Sequence, residues 1–139
     1  MANTVEQIMT HDPRTVDASD PVVEAARQMR DGDVGDVIVT QDGQVTGIVT
    51  DRDIVVRAVA DGRAPDSTPV SEVATSDLQA LEPSQSVDEA VQAMREHDIR
   101  RLPVVDGGRP VGIVSLGDMA VERDPDSALA DISAASPDQ

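Results

Sequence analysis

Two short stretches of this chain place a hydroxyl and a carboxylate at the same spacing behind a glycine. Gly47-Ile48-Val49-Thr50-Asp51-Arg52-Asp53 and Gly112-Ile113-Val114-Ser115-Leu116-Gly117-Asp118 both read G-I-V-[S/T]-x-x-D. The glycine allows close backbone approach, and the two apolar residues hold a strand in a core. A hydroxyl at the start of the next helix can cap it or donate to a phosphate. Free N–H groups and the positive end of the helix dipole favour an anion at the same place. An aspartate one turn along sits beside the hydroxyl, where it can accept a bidentate hydrogen bond from a ribose diol. Judged without context, the same residues read as plain N-caps and first-turn carboxylates that offset the dipole.

Other candidate groups carry less chemistry. Arg100 and Arg101 adjoin in an otherwise acidic chain; they can face a phosphate or pair with surface carboxylates. His11 and His97 have no spacing typical of a metal site or a catalytic pair, and read as solvated residues. Asp31/Asp33 and Asp51/Asp53 suggest Mg²⁺ ligands only weakly, because one pair lies in a turn and the other brackets a helix start. No nucleophile–base constellation stands out, so no catalytic residue and no metal ligand is assigned. Cysteine is absent, which excludes disulfides and thiolate sites.

The elements that must hold the two motifs are themselves repeated. Residues 5–57 match residues 70–122 at a constant offset of 65 with no gap, and seventeen of fifty-three aligned positions are identical. One supersecondary unit is therefore used twice. Each copy opens with a short helix (5–9 and 70–74) and a brief extended segment (14–17 and 79–82). An amphipathic helix follows, with Val22, Ala25, Ala26 and Met29 matched by Val87, Ala90, Val91 and Met94 on one face. Asp20-Pro21 signals the start of the first helix, and Ser86 with Glu89 reads as a capping box for the second. Then come two strands around a glycine turn (37–40 and 45–49; 102–105 and 111–114) and a closing helix at 53–60 or 118–122. The order per copy is α-β-α-β-β-α. Residues 1–61 form repeat 1, 62–69 a linker, 70–123 repeat 2 and 124–139 an acidic, alanine-rich tail with a short helix around 127–132.

Composition narrows the classes. The chain has 139 residues, so each copy is small alone and the two are expected to pack together. Phe, Tyr and Trp are all absent, leaving Val, Ile, Leu, Met and Ala to build the core. Eleven basic residues, all arginine, stand against twenty-seven acidic ones, for a net charge of −16. That surface repels a phosphate backbone, and without aromatics no base can be stacked, so nucleic-acid binding is not expected. The acidity serves solubility, or reflects a halophilic or GC-rich habit, before any choice of partner. No apolar run is long enough for a membrane span and no secretion signal opens the chain, so a cytoplasmic protein is expected.

The repeated motif, the V-x-E-A helix starts and the R-R-L-P-V-V strand together resemble the cystathionine-β-synthase (CBS) domain over about residues 5–123. The tandem arrangement is similar to the Bateman module of the stand-alone bacterial type. The resemblance implies an α/β (α+β) fold of two pseudo-twofold-related repeats packed through their sheets, and often a homodimer. It implies no obligatory cofactor, but a regulatory adenosine ligand (AMP, ADP, ATP or S-adenosylmethionine) in a cleft between the repeats. On that pattern Thr50 and Asp53 serve the phosphate and ribose of a first site, completed by Arg100 and Arg101. Gln79 and Ala80 would offer backbone to the adenine. A second, weaker site would use Ser115 and Asp118 with Gly35 and Asp36, where the Asp36 carboxylate opposes a phosphate and Arg14 compensates. Two functions remain open: a non-catalytic sensor of energy or metabolic state that signals to an effector protein of unidentified type, and a dimeric scaffold with vestigial nucleotide sites. A metal-dependent phosphohydrolase is the poorest third.

Overall fold

The structure, a computed structural model, describes residues 3–76, 79–97 and 99–118. The expected closing helix beyond residue 118 and the tail lie outside these described residues. The chain divides into two compact units: one holds residues 13–78, the other residues 1–12 together with 79–139. The units therefore differ from the sequence repeats at one edge. The opening segment of each repeat packs with the body of the other.

In the first-described unit, β2 (Thr15–Asp17), β3 (Asp36–Gln41) and β4 (Gln44–Thr50) form a sheet in that order. β2 runs parallel to β3, and β3–β4 is an antiparallel hairpin. Asp42 and Gly43 turn the hairpin with φ of 54° and 79°, the left-handed pair a two-residue connection needs. Helix α2 (Val22–Gly32) lies between β2 and β3 in the chain and buries Val22, Ala25 and Met29, as its spacing predicts. Its cap is Pro21, which offers no side-chain acceptor. Carbonyls from the connecting segment serve instead: Val22 N–H donates to Thr68 O (2.8 Å) and Val23 N–H to Pro65 O (2.9 Å). The expected linker is thus packed on the helix start, and Arg63 and Glu72 form an ion pair across it.

The closing helix of this unit starts two residues earlier than its sequence suggests. Helix α3 (Asp51–Ile54) runs into a π-helical turn (Val55–Val59), closed by Ala60 N–H donating to Val55 O at 2.8 Å. Ala58 is buried there, while Val55, Val56 and Val59 are exposed. A one-turn 3₁₀ helix (Val70–Glu72) then returns the chain to the sheet, where Ile48 and Thr75 bridge.

The other unit repeats the plan with exchanged parts. Helix α1 (Val5–Ile8) and strand β1 (Thr10–His11) come from the N-terminus, and α4 (Val87–His97), β5 (Arg101–Asp106) and β6 (Arg109–Ser115) from the second repeat. The sheet order is β1-β6-β5. β1 pairs antiparallel with β6 at Thr10–Ile113 and His11–Gly112, a strand too short for alternation to reveal. The extended segment expected at 79–82 makes only a single bridge, Leu81–Val104, rather than a strand. Ser86 caps α4 by accepting from Glu89 N–H at 3.0 Å, but Glu89 accepts from Gln85 Nε2 rather than closing the capping box.

Each unit has its own aliphatic core. Val16, Val22, Ala25, Met29, Val37, Val39 and Val49 cluster in one, and Val5, Leu81, Val87, Ala90, Met94, Leu102 and Val114 in the other. Each fully buried valine or leucine contributes about 1.5–3 kcal/mol relative to exposure. Both hairpins shift register at the same repeat position, between Val39 and Thr40 and between Val104 and Val105. The duplicated sequence thus keeps even its irregularities.

Candidate functional site

The two motifs fold into the same closed loop of hydrogen bonds. Thr50 Oγ1 accepts from Asp53 N–H at 3.0 Å, and Asp53 Oδ2 accepts from Thr50 N–H at 3.0 Å. In the other unit Ser115 Oγ accepts from Asp118 N–H at 3.1 Å and Asp118 Oδ2 from Ser115 N–H at 2.8 Å. These are reciprocal caps, so the structural role read from the sequence is met at both motifs. The cap uses one oxygen of each carboxylate. Oδ1 of Asp53 and of Asp118 makes no hydrogen bond among the described residues. Both pairs are half-buried.

The motif glycines answer to packing. A Cβ on Gly47 would stand 2.8 Å from Thr75 O, the carbonyl that accepts from Ile48 N–H. One on Gly112 would meet the Met9 side chain, and Thr10 O at 3.0 Å. In both units a neighbouring segment lies against the strand where no side chain fits. The close backbone approach expected of these glycines is therefore to the protein's own chain.

Register decides which other residues share an end of the sheet with each cap. Asp36 pairs with Thr50, and Asp51 N–H donates to Gly35 O at 3.0 Å. Arg101 pairs with Ser115, and Leu116 N–H donates to Arg100 O at 2.7 Å. Within the units, then, Gly35 and Asp36 adjoin Thr50–Asp53, whereas Arg100 and Arg101 adjoin Ser115–Asp118. Arg100 and Arg101 are exposed, and both Arg101 and Asp36 are engaged in polar interactions.

Arg14 precedes β2, and its carbonyl accepts from Ile38 N–H at 3.0 Å. Its guanidinium crosses the face of Gly32 and donates from Nη1 to Gln28 Oε1 at 2.8 Å. The arginine expected to offset Asp36 is thus held on α2. Gln79 is half-buried and Ala80 exposed, just ahead of the Leu81–Val104 bridge. Ala80 also lines an open pocket of about 660 Å³ with Leu81, Glu82, Val105, Asp106 and Gly108. That pocket lies at the hairpin-turn end of β5, away from Ser115, and its carboxylates suit it poorly to an anion.

Asp51, read from the sequence only as a weak Mg²⁺ ligand beside Asp53, stands against Gly35. Its Oδ2 lies 3.2 Å from where a Gly35 Cβ would be, and its Oδ1 accepts from Arg52 N–H at 2.8 Å. The available signal was the paired change of positions 35 and 51 relative to 100 and 116. Among the described residues no group of three or more His, Cys, Asp or Glu could hold a metal ion. Away from the site, the Ser19 hydroxyl and N–H lower the pKa of Asp17, and the Arg30 guanidinium lowers that of Asp31.

The CBS domain family model matches residues 5–59 and again 70–123. A CBS domain-containing protein of Bacillus subtilis, YhcV, is 42% identical over 135 residues, covering 94% of this chain and 96% of its own. A solved CBS-domain protein from Burkholderia ambifaria superposes with a TM-score of 0.79 at 35% identity, covering 89% of this chain and 96% of that one. The hypoxic response protein HRPI, solved with two coordinated zinc ions, has a TM-score of 0.76 at 32% identity over 86% of this chain and 98% of its own. With the motif matched twice, the caps identical and the relatives covered almost end to end, the chain belongs to the CBS-domain family as a tandem pair, a regulatory module in many proteins.

Proposed function

We propose that this protein is a non-catalytic regulatory module that binds an adenosine-containing ligand and acts in the cytoplasm as a homodimer. Thr50 and Asp53 take the phosphate and ribose, Arg100 and Arg101 balance phosphate charge, and Gln79 and Ala80 face the adenine. The observation that carries this reading is the repeated cap. It fixes a hydroxyl and an aspartate side by side while leaving carboxylate Oδ1 without a hydrogen bond among the described residues, as a ribose diol requires. A signal follows if ligand binds two conformational states with different affinity. The exposed Val55, Val56 and Val59 supply apolar surface for a second copy.

Calorimetric titration with AMP, ADP, ATP and S-adenosylmethionine tests the reading. Saturable heat with one of them, weakened at least tenfold in both Asp53→Ala and Arg101→Ala, is the expected outcome. The second reading, a dimeric scaffold with vestigial sites, is favoured by the carboxylates of Asp36 and Asp51 beside the first motif. It prevails if no adenosine ligand binds at millimolar concentration.

A further inference from the structure

We propose that Asp51 sets the charge of the ligand this protein accepts, disfavouring polyphosphates and leaving adenosine ligands with a low-charge tail. This rests on the adenosine reading and deepens it. Gly35 has no side chain, and the Asp51 carboxylate stands over the vacant position: an added Cβ would lie 3.2 Å from Oδ2, 3.5 Å from Cγ and 3.7 Å from Oδ1. Two backbone contacts hold it there, Asp51 N–H to Gly35 O at 3.0 Å and Arg52 N–H to Asp51 Oδ1 at 2.8 Å.

The other unit shows what the same frame carries without this carboxylate. The equivalent backbone bond, Leu116 N–H to Arg100 O, is 2.7 Å long. There a guanidinium replaces the glycine and a leucine replaces the aspartate. Two positions of a duplicated frame thus differ together: one copy carries a cation at the first, the other an anion at the second. Asp51 follows Thr50 directly, so its charge bears on any phosphate that Thr50 takes. Repulsion grows with each added phosphate, and a unit charge at about 6–8 Å shifts affinity on the order of tenfold in a partly solvated site.

The test compares adenosine, AMP and ATP by titration calorimetry on the full chain and on Asp51→Asn, which keeps the oxygen that Arg52 N–H uses. A control, Asp42→Asn in the hairpin turn at the far end of the same sheet, removes the same net charge. The expected result with Asp51→Asn is adenosine within twofold, AMP about threefold tighter and ATP about tenfold tighter, with the control unmoved. An unchanged ATP-to-adenosine ratio overturns the proposal while leaving the adenosine reading intact. An equal shift in Asp42→Asn overturns it as a net-charge effect. Failure of every compound to bind either protein removes the adenosine reading and this proposal with it.

Discussion

Where β3 begins and β4 stops, one unit presents Gly35, Asp36 and Asp51 around the Thr50–Asp53 cap; the matching end of the other presents Arg100, Arg101 and Leu116 around Ser115–Asp118. The backbone is the same at both ends: the same reciprocal cap, the same glycine pressed against a crossing segment, the same register shift. The side chains around the two caps have diverged to opposite charge. Buried and backbone-bonded positions tolerate little, because each loses packing or a hydrogen bond when changed. Solvated positions carry no such cost, so they are where two copies of one frame can diverge.

The frame is where substitution should act most strongly. Gly47→Ala forces a Cβ toward the Thr75 carbonyl, part of a backbone pairing that cannot swing aside. A loss of about 3 kcal/mol in urea unfolding is expected. Gly112→Ala meets the flexible Met9 side chain first, and should cost about 1–2 kcal/mol. Equal losses would mean that the two crossings are equally rigid.

The diverged side chains come next. Arg101→Ala should weaken AMP binding about tenfold, with a shallower salt dependence, by removing a charge-assisted contact. The mirror change Asp36→Ala should leave AMP binding unchanged or improve it. A tenfold loss in Asp36→Ala would reverse the polarity assigned to the two ends.

The caps should be indistinguishable. Thr50→Ala and Ser115→Ala each remove one side-chain acceptor for a helix N–H, and each should lower stability by about 1 kcal/mol. A difference above about 1 kcal/mol between them would show that the frames are less alike than their hydrogen bonds.

The smallest effect lies outside both ends. Asp17 accepts from Ser19 Oγ and N–H, which lowers its pKa below 3.8 in the folded state. A depressed folded pKa adds stability above the unfolded value, and that stability is lost as pH falls through the folded one. Ser19→Ala should therefore lower the melting temperature slightly at neutral pH. The gap to the parent should close as the pH falls below 3.8.

Much of this was legible in the chain because the repeat could be checked against itself. The hairpins at Asp42-Gly43 and Gly107-Gly108, the apolar stripes of α2 and α4 and the caps at Thr50 and Ser115 all follow from local spacing. The exchange of opening segments was not legible. It depends on which partner each short helix meets in space, and nothing local in residues 5–12 or 70–76 encodes that. The π-helical turn at 55–59 was equally hidden, since a run of β-branched residues reads as an ordinary helix end. The path of the Arg14 side chain across the open face of Gly32 to Gln28 is a tertiary contact that no local spacing encodes. Only the fold puts Asp51 over Gly35, because that contact joins a strand start to a helix start sixteen positions on.

Equilibrium dialysis of the full chain against AMP, run to saturation, tests most directly whether one frame now carries two different ends. One nucleotide bound per chain, abolished by Asp53→Ala and retained by Asp118→Ala, is the predicted result. Two equivalent nucleotides per chain, or equal loss in both variants, would contradict it.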